Sequence, residues 1–136
     1  MNQNLSGVWE ANLEKSKLLG PAPKSISANI HHSDPDLAIN MTIAMRDGTE
    51  HYLVFKGPTT GTEVVNVVNG QQWRSRMQWI GIELLIESWV DLPGRKCHFR
   101  DFWFLSNDGQ SLTMEHRDDD LNGQITILER ARDERE

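Results

Sequence analysis

The side chains best placed to do chemistry are an acid and an imidazole, Asp101 and His116, on two stretches that the sequence folds against each other. Residues 97–117, CHFRDFWFLSNDGQSLTMEHR, alternate apolar and polar positions around a turn signal at Asn107-Asp108-Gly109. With Asp108-Gly109 as a two-residue hairpin loop, Leu105 lies opposite Leu112, Trp103 opposite Met114 and Asp101 opposite His116. An ionised group buried without a partner costs several kcal/mol or shifts its pKa, so Asp101 and His116 must meet each other or water. If Asp101 orients His116, the imidazole can provide the polar contact of a ligand pocket or act as a general base. The competing reading is a structural hydrogen bond at a wet rim. A register that pairs Leu121 with Gln124 brings Glu129 opposite His116, which makes His116, Asp101 and Glu129 the candidate catalytic set.

These groups need a scaffold, and the chain supplies strands. Helical periodicity is nearly absent and turn signals recur about every ten residues, the pattern of a sandwich or barrel. Alternating runs cover residues 5–13, 24–32, 36–46, 49–56, 62–68, 71–79, 82–90, the two arms of 97–117, and 124–130. Pro21 and Pro23 limit residues 14–20 to one helical turn at most. Asp47-Gly48 and Asn69-Gly70 read as two-residue hairpin turns, and Ile80-Gly81, Pro93-Gly94 and Ser33-Asp34-Pro35-Asp36 as turns. Carried through these turns, the register puts Ile43 opposite Tyr52, Tyr52 opposite Asn66, Asn66 opposite Trp73, and Leu84 between Met77 and Trp103. The apolar faces then stay on one side of about ten strands, and a sheet of that size with one apolar face curls and closes. The expected architecture is an all-β, up-and-down antiparallel barrel in a single domain spanning residues 1–136, with 131–136 as a frayed tail.

This register turns Met41, Ile43, Met45, Tyr52, Val54, Val64, Asn66, Trp73, Ser75, Met77, Leu84, Ile86, Ser88, Phe99, Asp101, Trp103, Leu105, Leu112, Met114, His116, Ile125 and Ile127 inward. A barrel of about eight to ten strands can leave room for one small ligand. The candidate binding residues are Tyr52, Asn66, Trp73, Ser75, Ser88, Phe99, Asp101, Trp103, Met114 and His116. Trp73 and Trp103 form either an aromatic wall or ordinary core, and the methionines either an adaptable pocket or gap filling. On the outside, Glu87 opposes Arg100 and Arg100 opposes Arg117, an exposed ion pair worth roughly 0.2–1 kcal/mol. Leu53 and Phe55 are expected to point outward, where they could mark a dimer patch.

A net charge of −6 argues against nucleic acid and anionic membrane surfaces as partners, and no apolar run is long enough to span a bilayer by helix. Cys97 is the only cysteine and reads as a small buried residue. His31 and His32 point to opposite faces and cannot readily share a metal, and Asp118-Asp119-Asp120 with Asn122 and Gly123 lacks EF-hand spacing, so no metal site is expected. The start, MNQNLSGVWE, has neither a basic nor an apolar signal region, which points to a cytoplasmic location.

Gly7-Val8-Trp9 in the first strand and Arg130 late in the last resemble the G-x-W and late arginine of the lipocalin-like (calycin) barrels. Leu5-Ser6-Gly7-Val8-Trp9, Glu14-Lys15-Ser16-Lys17, Trp79-Ile80-Gly81 and the run from Leu105 to Thr113 are similar to phrases in a subgroup of small, mostly uncharacterised bacterial lipocalin-like proteins, which often carry export signals. The resemblance implies a tryptophan at the closed end with an arginine packed across it. It also brings to mind fatty-acid-binding proteins, with two departures: the first two strands lie too close for a helical lid, and ITILER (125–130) lacks the R-x-Y that grips a carboxylate. The function implied is non-covalent binding of a small, largely apolar ligand by a monomer or homodimer, with no cofactor expected. Three alternatives remain: an isomerase- or hydratase-type acid/base enzyme using the His-Asp pair, haem held through His116 as in some ten-stranded lipocalin-like barrels, and a structural or interaction module.

Overall fold

Glycines at positive φ punctuate the alternating runs, and the strands between them pair in sequence order. The computed structural model describes residues 4–18, 20–68, 70–118 and 123–131. Ten strands form: β1 (Gly7–Ala11), β2 (Ser25–Ser33), β3 (Asp36–Ala44), β4 (Glu50–Pro58), β5 (Val64–Val68), β6 (Gln71–Ile80), β7 (Glu83–Leu92), β8 (Arg95–Leu105), β9 (Ser111–Arg117) and β10 (Gly123–Arg130). They make one antiparallel sheet in the order β4-β3-β2-β1-β10-β9-β8-β7-β6-β5. Because β1 pairs with β10, the sheet wraps around and only the seam between β4 and β5 lacks a ladder. The architecture is the expected all-β, nearly closed up-and-down barrel, with no helix among the described residues.

The seam is bridged by a side chain. The Asn66 amide accepts from the Lys56 N–H at 3.0 Å and donates to the Lys56 carbonyl at 3.2 Å, standing in for the missing backbone pair. Between β1 and β2, residues 12–17 continue along β10: Asn12 N–H donates to the Ile127 carbonyl, Lys17 and Ile125 exchange two backbone bonds, and the Ser16 hydroxyl accepts from Ile127 N–H. Ala131, expected in the frayed tail, donates its N–H to the Val8 carbonyl at 2.8 Å. Residues 132–136 lie outside the described residues.

The β8–β9 register matches the expectation at every pair, with Leu105 opposite Leu112, Trp103 opposite Met114 and Asp101 opposite His116. The β6–β7 turn sits one residue later, on Gly81-Ile82, which shifts the pairing by two, so Met77 faces Ile86 and not Leu84, but an even shift keeps the same face inward. Two odd shifts matter more. The β3–β4 loop has three residues, not two, since Met45 N–H bonds to the Thr49 carbonyl; Thr42 therefore faces Tyr52, and Ile43 faces His51. That slip turns Leu53 and Phe55 inward and leaves Tyr52 59% exposed, so the outward Leu53–Phe55 patch does not exist. In β10, Gln124 and not Glu129 faces His116, which turns Gln124, Thr126 and Leu128 inward and Ile125, Ile127 and Glu129 outward. Leu121, on which the earlier register hung, lies outside the described residues, as do Asp119, Asp120 and Asn122 of the acidic run.

One end of the barrel is packed solid. Leu5, Trp9, Ile30, Met77, Leu84, Leu112 and Leu128 are almost fully buried there. The Trp9 indole N–H donates to the Leu5 carbonyl at 3.0 Å, and the Arg130 guanidinium lies 4.3 Å over the Trp9 ring. Arg130 also donates from Nη1 to the Ser6 carbonyl and from Nε to the Gly109 carbonyl, both at 2.8 Å. Nearby, His32 is buried and His31 exposed, on opposite faces as expected. His32 Nδ1 accepts from the Leu5 N–H at 3.0 Å, so its hydrogen is on Nε2, which donates to Asp34 at 2.6 Å.

On the outer face, Glu87 is opposite Arg100 as expected, yet it is not an exposed ion-pair partner. Its carboxylate is buried, receives Arg76 Nε and Nη2 at 3.2 and 2.9 Å and meets His98 Nε2 at 3.0 Å, with Arg100 at 3.7 Å. Burial alone would raise the Glu87 pKa, but the hydrogen bonds from Arg76 and His98 outweigh it and hold the carboxyl below its ordinary value. Trp89 covers this group, stacked on His98 and flanked by Arg74 and Arg76.

Candidate functional site

Strand alternation sends every second residue of β6 to β10 inward, and above the packed end these side chains do not fill the barrel. They leave a cavity of about 300 Å³, the volume of about ten waters in the liquid. Its wall is mostly apolar: Ile26 from β2; Ile39, Met41 and Ile43 from β3; Leu53 and Phe55 from β4; Val68 from β5; Trp73, Ile86, Trp103 and Met114 from β6 to β9. Ser88, Asp101, His116, Gln124 and Thr126 are its polar lining. An apolar wall with a few convergent polar groups is the usual constitution of a small-molecule site.

The polar lining is organised around one contact. His116 Nδ1 lies 2.7 Å from Asp101 Oδ1, with the His116 side chain 34% and the Asp101 side chain 24% exposed. A carboxylate only accepts, so the hydrogen is on Nδ1, and Nε2 is the nitrogen left to meet a ligand. The hydrogen bond to Asp101 raises the His116 pKa above 6.5, burial works against it, and the charges of Asp101 and Asp118 reinforce the rise. A row of rings flanks the pair. Phe55 meets Trp73 edge-on at 5.8 Å, Trp73 stacks on Phe99 at 5.4 Å, and Phe99 tilts over His116 at 5.1 Å. Behind Ser88, the buried Ser75 hydroxyl is 2.9 Å from the Ser88 hydroxyl, so the two satisfy each other. The Trp103 indole N–H is buried and meets no acceptor among the described residues, a state that costs about 1–3 kcal/mol.

The structure thus gathers Trp73, Ser88, Asp101, Trp103, Met114 and His116 around the cavity, with Ser75 behind Ser88 and Phe99 between Trp73 and His116. Three expected members are elsewhere. Tyr52 is on the outer face, Asn66 spans the seam, and Glu129 takes Asn12 Nδ2 at 3.2 Å and Lys15 Nζ at 3.3 Å on the far side of β10 from His116. Ile26, Ile39, Leu53, Phe55, Val68, Gln124 and Thr126 line the cavity but were not among the residues expected to face inward. For Gln124 and Thr126 a signal existed: an Arg130 packed on Trp9 must point inward, and residues two, four and six positions earlier on that strand must then do so too.

His116 and Asp101 link the site to stability. A His pKa raised in the folded state contributes stability that is fully present below about pH 6.5 and is lost as the pH rises through the folded value. Asp101→Asn is expected to remove the main cause of the rise, lowering the His116 pKa in a ring-proton NMR titration and flattening the fall of thermal stability as the pH rises above about 6.5. An unchanged His116 titration in that variant would show that the hydrogen bond does not set its protonation.

No protein-family model matches the chain, and neither does any curated sequence. Solved structures do. Secretory abundant heat soluble protein 4 from Ramazzottius varieornatus superposes with a TM-score of 0.67 at 10% identity, covering 95% of this chain and 96% of that one. A protein titled REP1-NXSQ fatty acid transporter gives 0.68 at 11% identity, covering 96% and 98%. A second secretory abundant heat soluble protein from R. varieornatus gives 0.64 at 15% identity, covering 95% and 97%. No helix among the described residues is long and apolar enough to cross a membrane. Whole-length superposition shows that the chain shares the fold of these proteins, a nearly closed antiparallel β-barrel of ten strands in which Trp9 and Arg130 close one end.

Proposed function

We propose that this protein binds one small, largely apolar molecule non-covalently inside the barrel, with the polar end of the ligand at His116 and Asp101. The observation that carries the reading is the cavity of about 300 Å³, walled by aliphatic and aromatic side chains and polar mainly along one side. A protein titled as a fatty acid transporter shares the fold, which supports a lipid-like cargo. The expected outcome is saturable one-to-one binding of the neutral dye Nile red, with an emission shift to the blue and quenching of Trp73 or Trp103. Native mass spectrometry of freshly purified protein gives the complementary readout, a co-purified small molecule. Failure of Nile red and of simple alkyl alcohols to bind at micromolar concentration sinks the proposal.

A further inference from the structure

We infer that the ligand's head group is uncharged and hydrogen-bonding, as in an alcohol, aldehyde or amide of an alkyl chain, and is not a carboxylate. The inference rests on the binding function proposed above and narrows its ligand class.

The charge distribution argues it. Among the described residues no lysine or arginine lines the cavity. Arg74, Arg76, Arg100 and Arg117 alternate with inward residues of β6, β8 and β9 and so fall outside. Arg74 and Arg76 pair with Glu63 and Glu87, Arg117 pairs with Glu115, and Arg100 lies against Glu87. Arg130, the basic residue of the last strand, is committed to Trp9 and two carbonyls at the closed end. Among the described residues the one group lining the cavity that can become cationic is His116, and its partner Asp101 already neutralises it at 2.7 Å. Asp118 adds negative charge on the same side, close enough to act on His116. A carboxylate brought here would lose its water and gain no free cation, a net cost.

A neutral head has no such cost and finds partners. When His116 is neutral, Nε2 accepts from a hydroxyl; when protonated, it donates to a carbonyl. Ser88, Gln124 and Thr126 line the same side, while the alkyl chain reaches the aliphatic wall formed by Met41 and Leu53.

The test compares decanol, decanoate and decylamine, matched in chain length, by calorimetric titration of the intact protein at about pH 8, where the acid is ionised and the amine largely charged. Decanol is expected to bind at least tenfold more tightly than decanoate, and His116→Leu to lose most of the decanol affinity while keeping the fold by circular dichroism. Decanoate binding as tightly as decanol overturns the neutral head and leaves the binding function standing. Decylamine binding tightest also overturns it, assigning Asp101 to a cation. If none of the three binds, the binding function itself falls.

Discussion

Replacing Gly7 with alanine is expected to lower the free energy of unfolding by about 3–5 kcal/mol, one of the larger effects available to a single methyl group in this chain. Gly7 has φ +141°, a backbone conformation L side chains rarely adopt, and a Cβ there would lie 2.5 Å from Arg130 Nη1. The backbone strain is worth roughly 1–3 kcal/mol. The clash adds to it, because the guanidinium cannot move without giving up its bonds to the Ser6 and Gly109 carbonyls and its place over Trp9. Charged hydrogen bonds contribute about 1.5–3 kcal/mol each and a desolvated cation–π contact about 2. Gly94→Ala is the control. It too has positive φ, +75°, but nothing within 4 Å of the added Cβ, so only backbone strain remains. Urea denaturation should separate the two, and in an Arg130→Ala background the Gly7→Ala loss should shrink, since the clash has then gone. Equal losses for Gly7→Ala and Gly94→Ala would show that Arg130 is not held as described.

The part of this architecture that sequence reveals is the part governed by short turns with an even number of residues. Pro93-Gly94 joins β7 to β8 as a two-residue loop. The four-residue loop at 107–110, closed by the Ser106 N–H on the Ser111 carbonyl, gives the same pairing as a two-residue turn at Asp108-Gly109, so Asp101 opposite His116 follows. Arg46-Asp47-Gly48 shows where the signal fails. Asp-Gly serves both a two-residue loop and a three-residue loop that ends on a left-handed glycine, and only the Met45–Thr49 backbone bond tells them apart. The sequence of β4 could not correct the error, because Tyr52 and Val54 on one face are as apolar as Leu53 and Phe55 on the other. In β10 the turn is long, and a long turn transmits no parity. Two expectations there were incompatible: Glu129 beside His116 and Arg130 beside Trp9 cannot both face inward from adjacent positions of a strand. The arginine won, because its guanidinium has an aromatic face and two carbonyls to meet at the packed end. Asn66 was read on the correct face of β5, but no periodicity indicates that an amide will turn aside to close a seam.

The β4 correction carries the largest expected effect on binding. Leu53→Trp should weaken Nile red by roughly 100-fold, about 2.8 kcal/mol, whereas Tyr52→Trp, one residue away, should leave binding within about twofold. Leu53 lines the cavity and Tyr52 faces solvent, so the indole at 53 takes up space in a cavity of only about 300 Å³, while the indole at 52 takes up none. Met41 lies directly across the β3–β4 ladder from Leu53 and lines the same wall, so Met41→Trp should reproduce the loss. A side chain that grows into empty space avoids the overpacking penalty of a filled core, so both blocking variants should unfold near the parent's temperature. The reverse result, with Tyr52→Trp blocking and Leu53→Trp silent, would put β4 back in the register of a two-residue turn at Asp47-Gly48. It would also return Phe55 to the outer face and remove the first ring of the row that runs from Phe55 through Trp73 and Phe99 to His116.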